Sequence, residues 1–120
     1  MAATSMSAPA TAKLGSVVKI RAAGLKPGRY SLVLAIEVLP GGAGPTNCVG
    51  TVGSAAARAG EVAITGALPR RLGCYMGVGA VEGYRNTGPG KYHLTLCVQF
   101  HPNGCSDSAS FLLRKIRLIR

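Results

Sequence analysis

Tryptophan is absent from this 120-residue chain, and with two Phe and four Tyr the aromatic share is 5%. A core without large rings must be filled by Val, Leu, Ile and Ala, which suits closely packed strands. Acidic residues are scarce too: Glu37, Glu61, Glu82 and Asp107 stand against 14 Lys and Arg. The four fall in separate segments, so the sequence displays no close carboxylate pair of the kind acid–base catalysis uses. No apolar run approaches the roughly 18–20 residues that a helical membrane span needs. Helical spacing of apolar positions is missing as well; Ala55-Ala56-Ala57-Arg58 has helical propensity but is too short to stand alone. Residues 1–12 lack the basic start and apolar stretch of a leader. They are expected to form a flexible segment ahead of a single domain at 13–120. If the chain is exported, its leader is not part of this sequence.

What is abundant is turn punctuation: 17 Gly and 7 Pro, spread along the chain. Between the turns lie short segments of period-two alternation. In 16–22, Val18, Ile20 and Ala22 share one face and Lys19 and Arg21 the other. In 29–39, Tyr30, Leu32, Leu34, Ile36 and Val38 are expected inward, with Ser31 and Glu37 outward. Further strands are expected over 48–57, 61–68, 72–81 and 91–100, the last with Tyr92, Leu94, Leu96, Val98 and Phe100 on one face. In the final strand, 108–120, the apolar phase shifts from Phe111/Leu113 to Ile116/Leu118, which predicts a bulge near Arg114–Lys115. Seven short strands at regular spacing predict an all-β, Greek-key immunoglobulin-like sandwich. Two segments, Pro27-Gly28-Arg29-Tyr30-Ser31-Leu32 and Pro89-Gly90-Lys91-Tyr92-His93-Leu94, begin their strands in the same way.

Cys48, Cys74, Cys97 and Cys105 are an even set on an all-β pattern. That points to two disulfides and an oxidising, extracytoplasmic setting, secreted or at the cell surface. Three pairings are open. Cys97–Cys105 would staple the last hairpin, and Cys48–Cys74 would tie the third strand to the fifth, contributing roughly 3 kcal/mol by restricting the unfolded chain. A zinc site built from His93, Cys97, His101 and Cys105 is the rival reading. Residues four apart on a strand lie about 13 Å from one another, too far to share one ion, so no metal or other cofactor is expected. Ser106, Ser108 and Ser110 near His101 and Asp107 have the residue types of a nucleophilic triad, but a polar turn explains them equally, and no catalysis is expected.

The net charge of +10 favours anionic partners. Arg70, Arg71, Arg114, Lys115, Arg117 and Arg120 are the candidate polyanion-binding set, and they would form one positive face if the first and last strands lie close together. Lys13, Lys19, Arg21, Lys26 and Arg29 make a further cluster. Without aromatic interleaving, sequence-specific nucleic-acid recognition is disfavoured.

The run Gly15-Ser16-Val17-Val18-Lys19-Ile20, followed by Ala23-Gly24-Leu25-Lys26-Pro27-Gly28, resembles the opening of bacterial immunoglobulin-like domains. Among these it is most similar to the neocarzinostatin-type apo-chromoproteins. The resemblance implies a secreted sandwich with two disulfides and a cleft that carries an enediyne chromophore. The chain departs from that family in its wide Cys48…Cys74 spacing and its basic charge, and no chromophore-contact residue can be carried over. The expected function is therefore non-catalytic binding or structure outside the cytoplasm, with a basic face for an anionic polymer or partner protein. Two alternatives are a small-ligand carrier with a cleft at Tyr75, Met76, Val78 and Tyr84, and an assembly subunit that adds an edge strand to a neighbour's sheet.

Overall fold

The computed structural model describes residues 4–36, 47–75, 83–101 and 104–120; within the strands, the side chains at 47, 75, 99–101 and 104–112 lie outside that description. Among the described residues there is no helix. The strands are β1 (Ser5–Ser7), β2 (Thr11–Lys13), β3 (Val17–Ala23), β4 (Arg29–Ile36), β5 (Asn47–Ala56), β6 (Val62–Ala67), β7 (Arg71–Tyr75), β8 (Gly83–Asn86), β9 (Gly90–His101) and β10 (Gly104–Ile119). They form two sheets, β1-β3-β6 and β2-β10-β9-β4-β5-β7-β8.

Seven of these strands match the segments that alternation marks, and β1, β2 and β8 are additional. Strands of three or four residues are too short to show a period, so pattern reading passes over them. The stretch expected as a flexible segment thus holds two edge strands. β1 runs antiparallel to β3 and β2 parallel to β10, and Met6 is buried in the core.

The core lies between the sheets. Val18, Ile20 and Ala22 of β3 and Val62 and Ile64 of β6 meet Leu32, Leu34, Leu94, Leu96, Ile116 and Leu118 of the larger sheet. Each large aliphatic side chain so buried contributes on the order of 1.5–3 kcal/mol. The register of β10 corrects the expected bulge. Pairing with β9 is regular from Leu112 to Leu118, and the shifts fall earlier, between Gly104 and Leu112. Ile116 and Leu118 point inward, and Leu113 simply faces out, 48% exposed. An exposed leucine, not an extra residue, explains the apparent change of phase.

On one side the two sheets nearly touch. The β4–β5 register skips Val52, and the bulged residue leans toward β6. Gly66, inward on β6 and opposite Val18, receives it: a Cβ there would overlap the Val52 carbonyl oxygen. Bulges of this sort let one sheet turn toward another.

The paired Pro-Gly-x-Tyr segments build the same device twice. Gly28 and Gly90 hold φ of 151° and 145°, where a side chain would be strained. The Tyr30 hydroxyl donates to the Lys26 carbonyl and the Tyr92 hydroxyl to the Gly88 carbonyl, each at 2.8 Å and four residues upstream. Each tyrosine buries its ring while its hydroxyl fastens the incoming turn.

Cys48 and Cys74 stand opposite one another on β5 and β7 and form a disulfide. Cys97 is also disulfide-bonded. The expected Cys97–Cys105 pairing falls partly on the side chain of Cys105, outside the described residues.

Candidate functional site

β4 is apolar almost throughout, Leu32-Val33-Leu34-Ala35-Ile36, and such a strand can be covered on both faces. Leu32 and Leu34 point into the core. Val33 points the other way, yet it is only 6% exposed. Its outward neighbour Ser31 is 3% exposed, and Cys97, opposite Ser31 on β9, is fully buried. The middle of the larger sheet is therefore shielded on its outer side as well as its inner side.

Strand register fixes what shares this outer face. Tyr84 on β8 stands opposite Gly73 on β7, and Gly73 opposite Val49 on β5. Val49 pairs with Ala35 on β4, Ala35 with His93 on β9, and His93 with Lys115 on β10. A second row runs Thr51, Val33, Thr95, Leu113. The floor of the first row is small and apolar: Gly73, Val49 and Ala35. Tyr84 bounds it on one side and His93 on the other, four strand spacings apart, about 19 Å. The result is an apolar strip across the sheet with a glycine, a valine and an alanine at its centre.

Two side chains give the strip chemical character. Tyr84 is 65% exposed, and the Arg71 guanidinium lies 4.3 Å from its ring centroid. The cation holds the ring without covering it. His93 Nε2 is buried with no hydrogen-bond partner among the described residues. A desolvated polar atom of this kind costs about 1–3 kcal/mol and marks a place where a partner is wanting.

The residues singled out from sequence fall as follows. Tyr84 lies on this face. Tyr75 stands opposite Asn47 at the end of β7, its side chain outside the described residues; Met76 and Val78 lie outside them entirely. The polyanion set does not merge into one face. Lys115, Arg117 and Arg120 are exposed on or beside β10. Arg114, on the inward side of the same strand, donates from Nε to the Met6 carbonyl at 2.9 Å and so anchors β1. Arg71 begins β7, and strand order holds it away from β10, because β9, β4 and β5 stand between. The Arg70 guanidinium instead lies against Gly15, beside the β2–β10 edge, where the Leu14 N–H donates to the Ile119 carbonyl. Arg21 and Arg29 line a separate open groove of about 780 Å³ with Arg58 and Glu61. A smaller groove, about 620 Å³, is lined by Leu25, Pro27, Tyr30 and Val98. Among the described residues no group of three His, Cys, Asp or Glu is placed to hold a metal ion. The side chains of His101 and of Ser106, Asp107, Ser108 and Ser110 are outside the description.

Sequence reading missed Val33, Ala35, Val49 and His93 as members of a shared face. One signal was there: the unbroken apolar run in β4, which strict alternation explains poorly.

No family model and no curated protein sequence matches the chain. A solved structure does, over 98% of this chain and all of the other, with a TM-score of 0.63 and 21% identity. The chain shares its fold with macromomycin. The likeness to macromomycin extends through both sheets, whereas the family resemblance in the sequence is confined to the first quarter of the chain.

Proposed function

We propose that this protein is a non-enzymatic, extracytoplasmic carrier of a small, flat, apolar ligand, held on the outer face of the seven-stranded sheet between Tyr84 and His93. The observation that carries the proposal is the half-buried apolar row Gly73, Val49 and Ala35, with the exposed Tyr84 ring at one margin and at the other His93 Nε2, which lacks a partner among the described residues. A sheet face that only contacted solvent would be polar there. An apolar floor with few polar groups at its margin is instead the usual make-up of a small-molecule site.

Fold likeness to macromomycin supports the same reading, as does the resemblance of residues 15–28 to chromophore-carrying proteins. The Cys48–Cys74 bridge fits an oxidising location. We read the two sheets and their paired tyrosine-to-turn bonds as an immunoglobulin-like Greek-key arrangement. Carriage is preferred over the charged face because two of the six polyanion candidates are turned to other partners, Arg114 to the Met6 carbonyl and Arg71 to the Tyr84 ring. It is preferred over strand-addition assembly because the edges of the larger sheet are short: β2 has three residues and β8 four. Short edges with charges such as Lys13 and Arg85 discourage pairing with a neighbour.

The test uses the neutral naphthalene dye prodan, whose emission reports an apolar site. One dye per protein is expected, with affinity reduced at least tenfold by Val49→Asp and by Tyr84→Ala while circular dichroism stays unchanged. Equal dye binding by the parent and both variants would overturn the proposal.

A further inference from the structure

We propose that the β2–β10–β9 edge of the larger sheet is a docking surface for a linear polyanion, read through Lys13, Lys91, Lys115 and Arg117. This proposal is independent of ligand carriage. The four cations come from three strands, and the fold brings them together. Arg117 stands directly opposite Lys91 on β9 and next to Thr11 on β2. Lys115 lies two residues before Arg117, and Lys13 two residues beyond Thr11. All four are exposed, on the side of the sheet opposite the buried Ile116 and Leu118.

The spacing follows from strand geometry. Directly opposed residues have Cβ atoms about 5 Å apart, and residues two apart on a strand are separated by about 7 Å. Lys13 is the diagonal neighbour of Arg117, about 7–8 Å away, so the cations form a ladder with steps of about 5–8 Å. Like charges placed directly opposite each other, as Arg117 and Lys91 are, destabilise a strand pair. An anion lying across them turns that repulsion into attraction. Glu61 is the one acidic side chain among the described residues, and it belongs to the end of the other sheet, so no described acid stands beside the ladder.

The chemistry read here is a chain of evenly spaced oxyanions, sulfate or phosphate. Long flexible cations can meet either. No Phe, Tyr or Trp accompanies the ladder on its own face among the described residues, and the His93 ring opposite Lys115 is partly buried, so recognition rests on charge and counterion release rather than on stacking. If the four cations served only to guard an exposed edge, the surface would bind no polymer.

The experiment measures binding of a fluorescent heparin fragment and of polyphosphate by the full chain between 50 and 200 mM salt. With four contacts, affinity is expected to fall about 50-fold over that range, and with two contacts only about sevenfold. The double variant Lys115→Ser/Arg117→Ser should bind more weakly and show the shallower slope, as should Lys13→Ser/Lys91→Ser. Arg21→Ser/Arg58→Ser, in the separate groove with Glu61, should match the parent. Binding of both polymers supports recognition of charge alone, and binding of one supports the surface and names its anion. No binding of either polymer, or equal loss in the Arg21/Arg58 variant, would overturn the proposal. Thermal unfolding of each variant separates lost binding from lost fold.

Discussion

Gly66 offers the sharpest test of how the two sheets are joined. A methyl group there would overlap the Val52 carbonyl oxygen and also meet the Val52 carbonyl carbon at 2.9 Å and Cγ1 at 3.3 Å. The obstacle is backbone, so no side-chain rotation relieves it, and the bulge of β5 must retreat from β6. Overpacking of a core costs typically about 1–3 kcal/mol when side chains can adjust; here at least about 3 kcal/mol is expected. Two other strand glycines calibrate the number. At Gly53 the nearest atom is Ile64 Cγ2 at 3.0 Å, a side-chain methyl, and a cost of about 1 kcal/mol is expected. At Gly83 nothing lies within 4 Å, so alanine should stabilise by about 0.5 kcal/mol through the stiffer unfolded chain. Urea unfolding followed by far-ultraviolet circular dichroism would rank the three. A shift in melting temperature near 12 °C is expected for Gly66→Ala, at about 4 °C per kcal/mol for a domain of this size. If Gly66→Ala and Gly83→Ala unfold within 1 kcal/mol of each other, the close approach of β5 to β6 is wrong, and with it the closure of the sandwich on that side.

Two further outcomes are expected. Replacing Cys48 and Cys74 together by Ala frees a loop whose ends are 26 residues apart, which should cost about 3–4 kcal/mol in the chain-entropy account; a loss below 1 kcal/mol in urea unfolding would mean that the reduced chain is already held together there. His93→Leu removes the unpartnered Nε2 and should raise the stability of the ligand-free protein by about 1 kcal/mol. A clear drop in melting temperature would instead show that the imidazole has a partner in solution.

Alternation alone located β3, β6 and the inner face of β9, because a strand half-buried in a sandwich writes its environment into every second residue. It also identified the paired Pro-Gly-x-Tyr segments, whose common bond to the preceding turn is a local matter settled within five residues. The apolar strip was less legible. Val33, Ala35, Val49 and His93 are brought side by side by pairing among β5, β4 and β9, and that order depends on which strands find each other across long loops. Tyr84 could be suspected as a cleft residue, but its neighbours could not be named.

The sequence by itself determined the fold class and the make-up of the core. Both follow from local quantities: a period of two, frequent turn residues and an aliphatic composition. Strand order was the decision of the tertiary structure. It placed Arg71 away from Lys115 and Arg117, gathered Lys13 and Lys91 beside the latter pair, and enlisted residues 5–7 and 11–13 as edge strands. These are non-local contacts, chosen by the joint burial of both sheets, and no window of neighbouring residues contains the information that fixes them.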